Sequence, residues 1–91
     1  MNTQNHYKLR KKAMPLKPVV WVGKNGLNSD VLDEIDRQLD KKEIIKIKLT
    51  KSFIAENDKR KISEIIATKT NSEMISLVGF NITLYRAKNR K

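Results

Sequence analysis

The residues of most evident chemical use in this chain are glycines and cations. Gly23-Lys24-Asn25-Gly26 places two glycines around a two-residue tip, and a backbone free of side chains can approach a partner closely. A helix that starts just after such a loop offers unpaired N–H groups and the positive end of its dipole to an anion, phosphate above all. Lys24 adds a charge at the tip. A second set is Lys8, Arg10, Lys11 and Lys12, with Lys17 beyond it. A third is Lys46 and Lys48, which alternate with Ile45, Ile47 and Leu49. Arg86 opens a terminal run of six residues with four positive charges. The chain carries 20 Lys+Arg against 10 Asp+Glu, a net charge of +10. The signs are segregated: Met1 to Leu27 has six basic residues and no acid, whereas Asn28 to Asp40 has five acids opposed only by Arg37. An oriented basic surface facing a polyanion, most often a nucleic acid, follows from that pattern. A chance basic tail plus a solvated face is the plain alternative.

Other chemistry finds little support. There is no cysteine and only one histidine, so neither a disulfide framework nor a thiolate or His-rich metal site is expected. No phosphate-binding G-x-x-x-x-G-K-[ST] motif and no Ser/His/Asp arrangement is evident. Asp30, Asp33, Glu34 and Asp36 crowd one stretch and could hold a hard cation, but they read as the solvated face of a helix. An enzyme is therefore not expected, nor a cofactor, a metal or a small-molecule substrate. No apolar run approaches the ~20 residues of a membrane span, and no apolar leader core is seen at the N-terminus. The expectation is a soluble, cytoplasmic, single domain over residues 1–91, a monomer, with 86–91 a mobile tail.

The elements that must position these residues are legible in outline. Thr3 to Ala13 reads as a helix with Leu9, Ala13 and Leu16 on its apolar side, ended at Met14 by Pro15. Val19-Val20-Trp21-Val22, between Pro18 and Gly23, reads as a buried strand. Asn28 or Ser29 caps a helix running to about Lys41, with Val31, Leu32, Ile35 and Leu39 as its stripe. Ile45 to Leu49 alternates as a strand. A third helix runs from Asn57 or Asp58 to about Thr68, with Ile62, Ile65 and Ile66 inward. Val78-Gly79-Phe80-Asn81 predicts a hairpin turn with Gly79 at positive φ. That register pairs Leu77 with Ile82 and Ile75 with Leu84, all on one face, and puts Ser76, Thr83 and Tyr85 on the other. The order α-β-α-β-α-β-β predicts a two-layer α/β domain. The first three strands are parallel where adjacent, the last is antiparallel, and the helices pack on one face.

Individual residues carry two readings each. Trp21, in a strand of valines, is read as core, with base stacking as the alternative. Phe80, at the turn tip, could touch a ligand; Phe53 lies in a connection. His6 is read as a surface or packing residue. Lys46 and Lys48 could extend the basic surface or keep an exposed strand soluble. The acidic second helix could instead dock a basic protein, leaving any nucleic-acid contact incidental.

Leu16-Lys-Pro-Val-Val-Trp-Val-Gly-Lys-Asn-Gly-Leu27, Glu43-Ile-Ile-Lys-Ile-Lys48 and Leu84-Tyr-Arg86 together resemble the CRM domain, named for chloroplast RNA splicing and ribosome maturation. In stand-alone form this is the YhbY-like family of prokaryotes. Ile44 and Ile47 replace the more usual Leu and Val. The resemblance implies a mixed four-stranded sheet related to the C-terminal domain of translation initiation factor three. It also implies binding of structured ribosomal RNA and assistance in large-subunit assembly, that is, ribosome biogenesis. The RNA-binding residues expected are Lys8, Arg10, Lys11, Lys12, Lys17, Gly23, Lys24, Asn25, Gly26, Lys46, Lys48 and Arg86. The G-x-x-G loop would act as the comparable loop of KH domains does on an RNA backbone.

Overall fold

The computed structural model describes residues 3–23, 26–51 and 58–87, with side chains from Tyr7 onward. Its elements are α1 (Thr3–Ala13), β1 (Pro18–Val22), α2 (Ser29–Lys41), β2 (Ile44–Leu49), α3 (Lys59–Lys69), β3 (Glu73–Val78) and β4 (Asn81–Tyr85). Local chemistry accounts for the boundaries. α1 stops before Met14, whose following proline disfavours helical geometry. Asn28 caps α2, its side-chain oxygen accepting from the Val31 amide at 2.9 Å. Asp58 caps α3, accepting from the Arg60 and Lys61 amides. Such caps contribute about 1 kcal/mol each.

The sheet has the order β1-β2-β4-β3. β1 and β2 are parallel, with α2 as the crossover, while β4 runs antiparallel to both β2 and β3. Gly79 takes φ 59° in the hairpin turn, as the sequence requires. Leu77 pairs with Ile82, but a bulge between Met74 and Ser76 then shifts the register. Leu84 is consequently opposite Met74, not Ile75. Ile75 is the extra residue and, although buried, stands outside the main core cluster, where Met74 packs instead. Period-two alternation assumes one residue per pleat, and a bulge breaks that assumption.

One face of the sheet contributes Val20, Val22, Ile45, Ile47, Leu49, Ile82 and Leu84 to the core. Ile35 and Leu39 of α2 and Ile62 and Ile66 of α3 close over them. Burying each such side chain contributes roughly 1.5–3 kcal/mol. Ile65 does not join them: it is 42% exposed, because Ile62 and Ile66, one turn apart, already form the inward line.

The helices are not all on that face. α2 and α3 cover the core side, but α1 lies against β2, β3 and β4 on the opposite side. There it borders Lys46, Ser76 and Thr83, which alternate with the core residues of their strands. Its inward residue is the small Ala13, fully buried, and the Lys46 ammonium donates to the Met14 carbonyl at 3.3 Å. The two-layer expectation thus holds for α2 and α3 only. The stripe of α1 is too narrow to share the isoleucine core, so it rests on the polar side of the sheet.

Candidate nucleic-acid interface

The site is built on the sheet face that α1 only partly covers. Across that face Trp21, Lys48, Asn81 and Val78 are neighbours on successive strands, as are Lys46, Thr83 and Ser76 one pleat away. Trp21 is 57% exposed, contrary to its reading as core. β1 is an edge strand whose Val20 and Val22 point into the core, so alternation turns the indole outward beside Lys48. α1 packs on β2, β3 and β4, so the outward side of β1 stays open there. Lys48 is exposed and Lys46 half-buried. Lys8, Arg10, Lys11, Lys12 and Lys17 are all exposed, and the Lys11 ammonium stands 5.5 Å from the Tyr7 ring centroid. The fold therefore gathers α1's cations and the two strand lysines on one side of the sheet. Tyr7 escaped the sequence reading; its spacing of four from Lys11 on a helix was the available signal. Tyr85, next to the core residue Leu84, is half-buried on this face as expected.

Gly23 and Gly26 lie at the edge of the sheet where β1 and β2 end. The Gly26 amide donates to the Gly23 carbonyl at 2.8 Å, and Gly26 takes φ 71°. That amide is thus engaged within the turn, and a residue with a Cβ would be strained at position 26. A Cβ on Gly23 would meet the Thr50 side chain at 3.5 Å, an ordinary contact. Lys24 and Asn25 lie outside the described residues, as do Phe53 and the side chain of His6. The hairpin turn shares this edge: the Leu49 amide donates to the Phe80 carbonyl at 2.7 Å. Phe80 is half-buried, with the Lys59 ammonium 5.9 Å from its ring centroid and bonded to the Gly79 carbonyl at 2.8 Å.

Arg86 does not belong to the exposed surface. It is 4% exposed. One guanidinium nitrogen donates to an Asp36 carboxylate oxygen at 2.6 Å and to the Thr70 carbonyl at 2.7 Å. The other donates to the Asp36 carbonyl at 2.9 Å and to Asp40 at 2.8 Å. Its amide bonds to the Glu43 carbonyl at 2.9 Å. A residue placed by charge in a basic tail instead joins the end of β4 to α2 and to the C-cap of α3. The planar fork of Arg, able to serve several acceptors at once, explains why it fills this position. Residues 88–91 lie outside the described residues.

The same contacts reduce the free acidity of α2. Asp36 and Asp40 face Arg86, and Glu34 accepts from Arg37 and Gln38. Asp30 and Asp33 are exposed near the helix N-terminus. Among the described residues no cluster of three or more metal-ligating side chains exists, and no helix is long and apolar enough to cross a membrane.

Comparison with known proteins agrees with this architecture. The family model of the CRS1/YhbY (CRM) domain matches residues 1–86. A probable RNA-binding protein of Methanocaldococcus jannaschii is 45% identical over 80 residues, 88% of this chain. The chain spans 59% of that relative's length. A probable RNA-binding protein of Bacillus subtilis is 32% identical over 78 residues, covering 86% of this chain and 79% of the relative. The solution structure of a hypothetical Staphylococcus aureus protein, a candidate RNA-binding protein, superposes with a TM-score of 0.82 at 27% identity. That superposition covers 99% of this chain and 92% of the other. The relatives carry the names of binding proteins, not of enzymes. By the family model over residues 1–86 and these relatives, the chain belongs to the CRS1/YhbY (CRM) domain family.

Proposed function

We propose that this chain binds RNA through the face formed by α1, the outward side of β1 and β2, and the glycine loop. The observation that carries the reading is the exposed Trp21 beside Lys48, on the side of the sheet where α1 presents four cations and no acid. An aromatic plane bordered by cations is the arrangement that stacks bases while neutralising phosphates. Lys8, Arg10, Lys11, Lys12, Lys17, Lys46 and Lys48 supply the charge. Gly23, Lys24, Asn25 and Gly26 supply a backbone contact at the rim. The names of the relatives support RNA as the ligand class. The likeness to stand-alone YhbY-like proteins extends the reading to structured ribosomal RNA, with assistance to large-subunit assembly as the role of a cytoplasmic monomer.

Docking of a basic ribosomal protein on α2 is the weaker reading, since Glu34, Asp36 and Asp40 already have internal partners. Crosslinking in cells followed by sequencing of the bound RNA tests the proposal. Strong enrichment of large-subunit ribosomal RNA supports it. Recovery of protein alone, or of RNA without such enrichment, overturns the ribosomal assignment.

A further inference from the structure

Between α1 and the β3–β4 hairpin lies a groove of about 390 Å³, lined by Tyr7, Arg10, Lys11, Ala13, Met14 and Lys46 together with Ser76, Val78, Asn81 and Thr83. We infer that this groove takes one unpaired nucleobase of a bound RNA and reads its edge through Ser76, Asn81 and Thr83; the inference rests on the RNA-binding reading above.

Three observations converge. First, Thr83 is 3% exposed, and its hydroxyl has no hydrogen-bond partner among the described residues. A buried hydroxyl normally has a hydrogen-bond partner, ordered water included, and one that lines a groove can take a ligand atom in that role. The side chains of Ser76 and Asn81, on the same wall, likewise make no side-chain hydrogen bond among the described residues. All three side chains line the same groove. Second, the footprint suits a single ring system. Ser76 lies opposite Thr83 and Val78 opposite Asn81. With strands about 4.8 Å apart and a two-residue repeat of about 7 Å, these four span a patch about as wide as the edge of one heteroaromatic base. The volume is near the lower end, about 300 Å³, of pockets that hold small organic groups. Third, the walls suit a nucleotide more than a peptide. Met14, Val78 and the Tyr7 ring are exposed apolar surfaces against which a base can pack. Arg10, Lys11 and Lys46 stand around the same opening, where the flanking phosphates would lie. Watson–Crick and Hoogsteen edges are available to protein only in single strands, loops and bulges, so the ligand is an unpaired nucleotide within the RNA.

The test measures binding of the full chain to labelled single-stranded homopolymers of A, C, G and U, and to a blunt RNA duplex, at one salt concentration. The wild type is expected to prefer one base by roughly five- to hundredfold, the discrimination one well-placed pair of hydrogen bonds supplies. Thr83→Val, Asn81→Ala and Ser76→Ala are expected to collapse that preference while binding the duplex as before. Amide NMR spectra of each variant confirm folding. Should Thr83→Val fail to fold, the wild type titrated with nucleoside 5′-monophosphates gives a second readout. The side-chain amide of Asn81 is then expected to shift with the preferred base and not with inorganic phosphate. Equal affinity for all four homopolymers, or preference retained in folded variants, overturns the groove while leaving RNA binding intact. RNA binding that never perturbs Asn81 overturns it too and leaves the groove to another class of partner, such as a polypeptide. Absence of binding to any RNA overturns both readings.

Discussion

Across the sheet from one another, α1 and α2 use charge for different ends. Lys8, Arg10, Lys11 and Lys12 on α1 are exposed, and that helix contains no acid. On α2, Glu34 faces Arg37, while Asp36 and Asp40 face the buried guanidinium of Arg86. Charges that find partners inside the fold contribute to its stability and are lost to any ligand. Charges left without them add little to stability and keep their full capacity for an outside polyanion. The same contrast holds between two single residues. Trp21, the largest apolar side chain, is more than half exposed, whereas Arg86 is almost wholly buried. On this reading the α1 side is a binding surface and the α2–Arg86 seam is a structural joint.

The comparison breaks most easily at Arg86. Arg86→Ala is expected to lower stability by about 2–4 kcal/mol, seen as a lower midpoint in urea. The main cause is the loss of donors to the Thr70 and Asp36 carbonyls, because the carboxylates of Asp36 and Asp40 are themselves 56% and 68% exposed. A drop below about 1 kcal/mol would mean that the seam is an ordinary surface contact. RNA affinity measured where the variant is still folded should change little.

The converse experiment replaces Lys8, Arg10, Lys11 and Lys12 with Gln. At a few tenths of a molar salt or less, RNA affinity should fall by at least about tenfold. The slope of log affinity against log salt should become shallower by roughly 3, from 0.7–0.9 per lost phosphate contact. The melting temperature should stay nearly constant, since exposed charges contribute little to stability. A variant that melts early with unchanged affinity would reverse the roles assigned to the two regions.

Trp21→Ala sharpens the contrast on the binding side. Loss of a stacking platform should weaken single-stranded RNA by about 1–3 kcal/mol, measured by fluorescence anisotropy. Stability should move by no more than about 0.5 kcal/mol, because the ring is largely in water already. A large fall in stability with intact affinity would return Trp21 to the core. Gly26→Ala should have the smallest effect, a loss of about 1 kcal/mol from forcing a side chain to φ 71°. Affinity corrected for the folded fraction separates a loop that contacts RNA from one that only turns the chain.

Local chemistry made much of this molecule readable in one dimension. Pro15 after Met14, the cap residues Asn28 and Asp58, and Gly79 in its turn act within a few residues of themselves, so their elements follow from sequence. The Leu77–Ile82 pair follows as well, because a short turn sets the register next to it. The clustering of cations on the first helix is likewise a property of the chain. What depends on distant neighbours was decided only in three dimensions. The packing of α1 on β2, β3 and β4 left the outward side of β1 open and so exposed Trp21, although Val20 and Val22 beside it are buried. The bulge at Ile75 displaced it from the pairing that alternation predicts. Arg86 found Asp36 and Asp40 some 50 and 46 residues away, and no local pattern distinguishes such an arginine from one in a basic tail. Burial of a side chain depends on which elements pass over it, and that is set by the packing of the whole sheet.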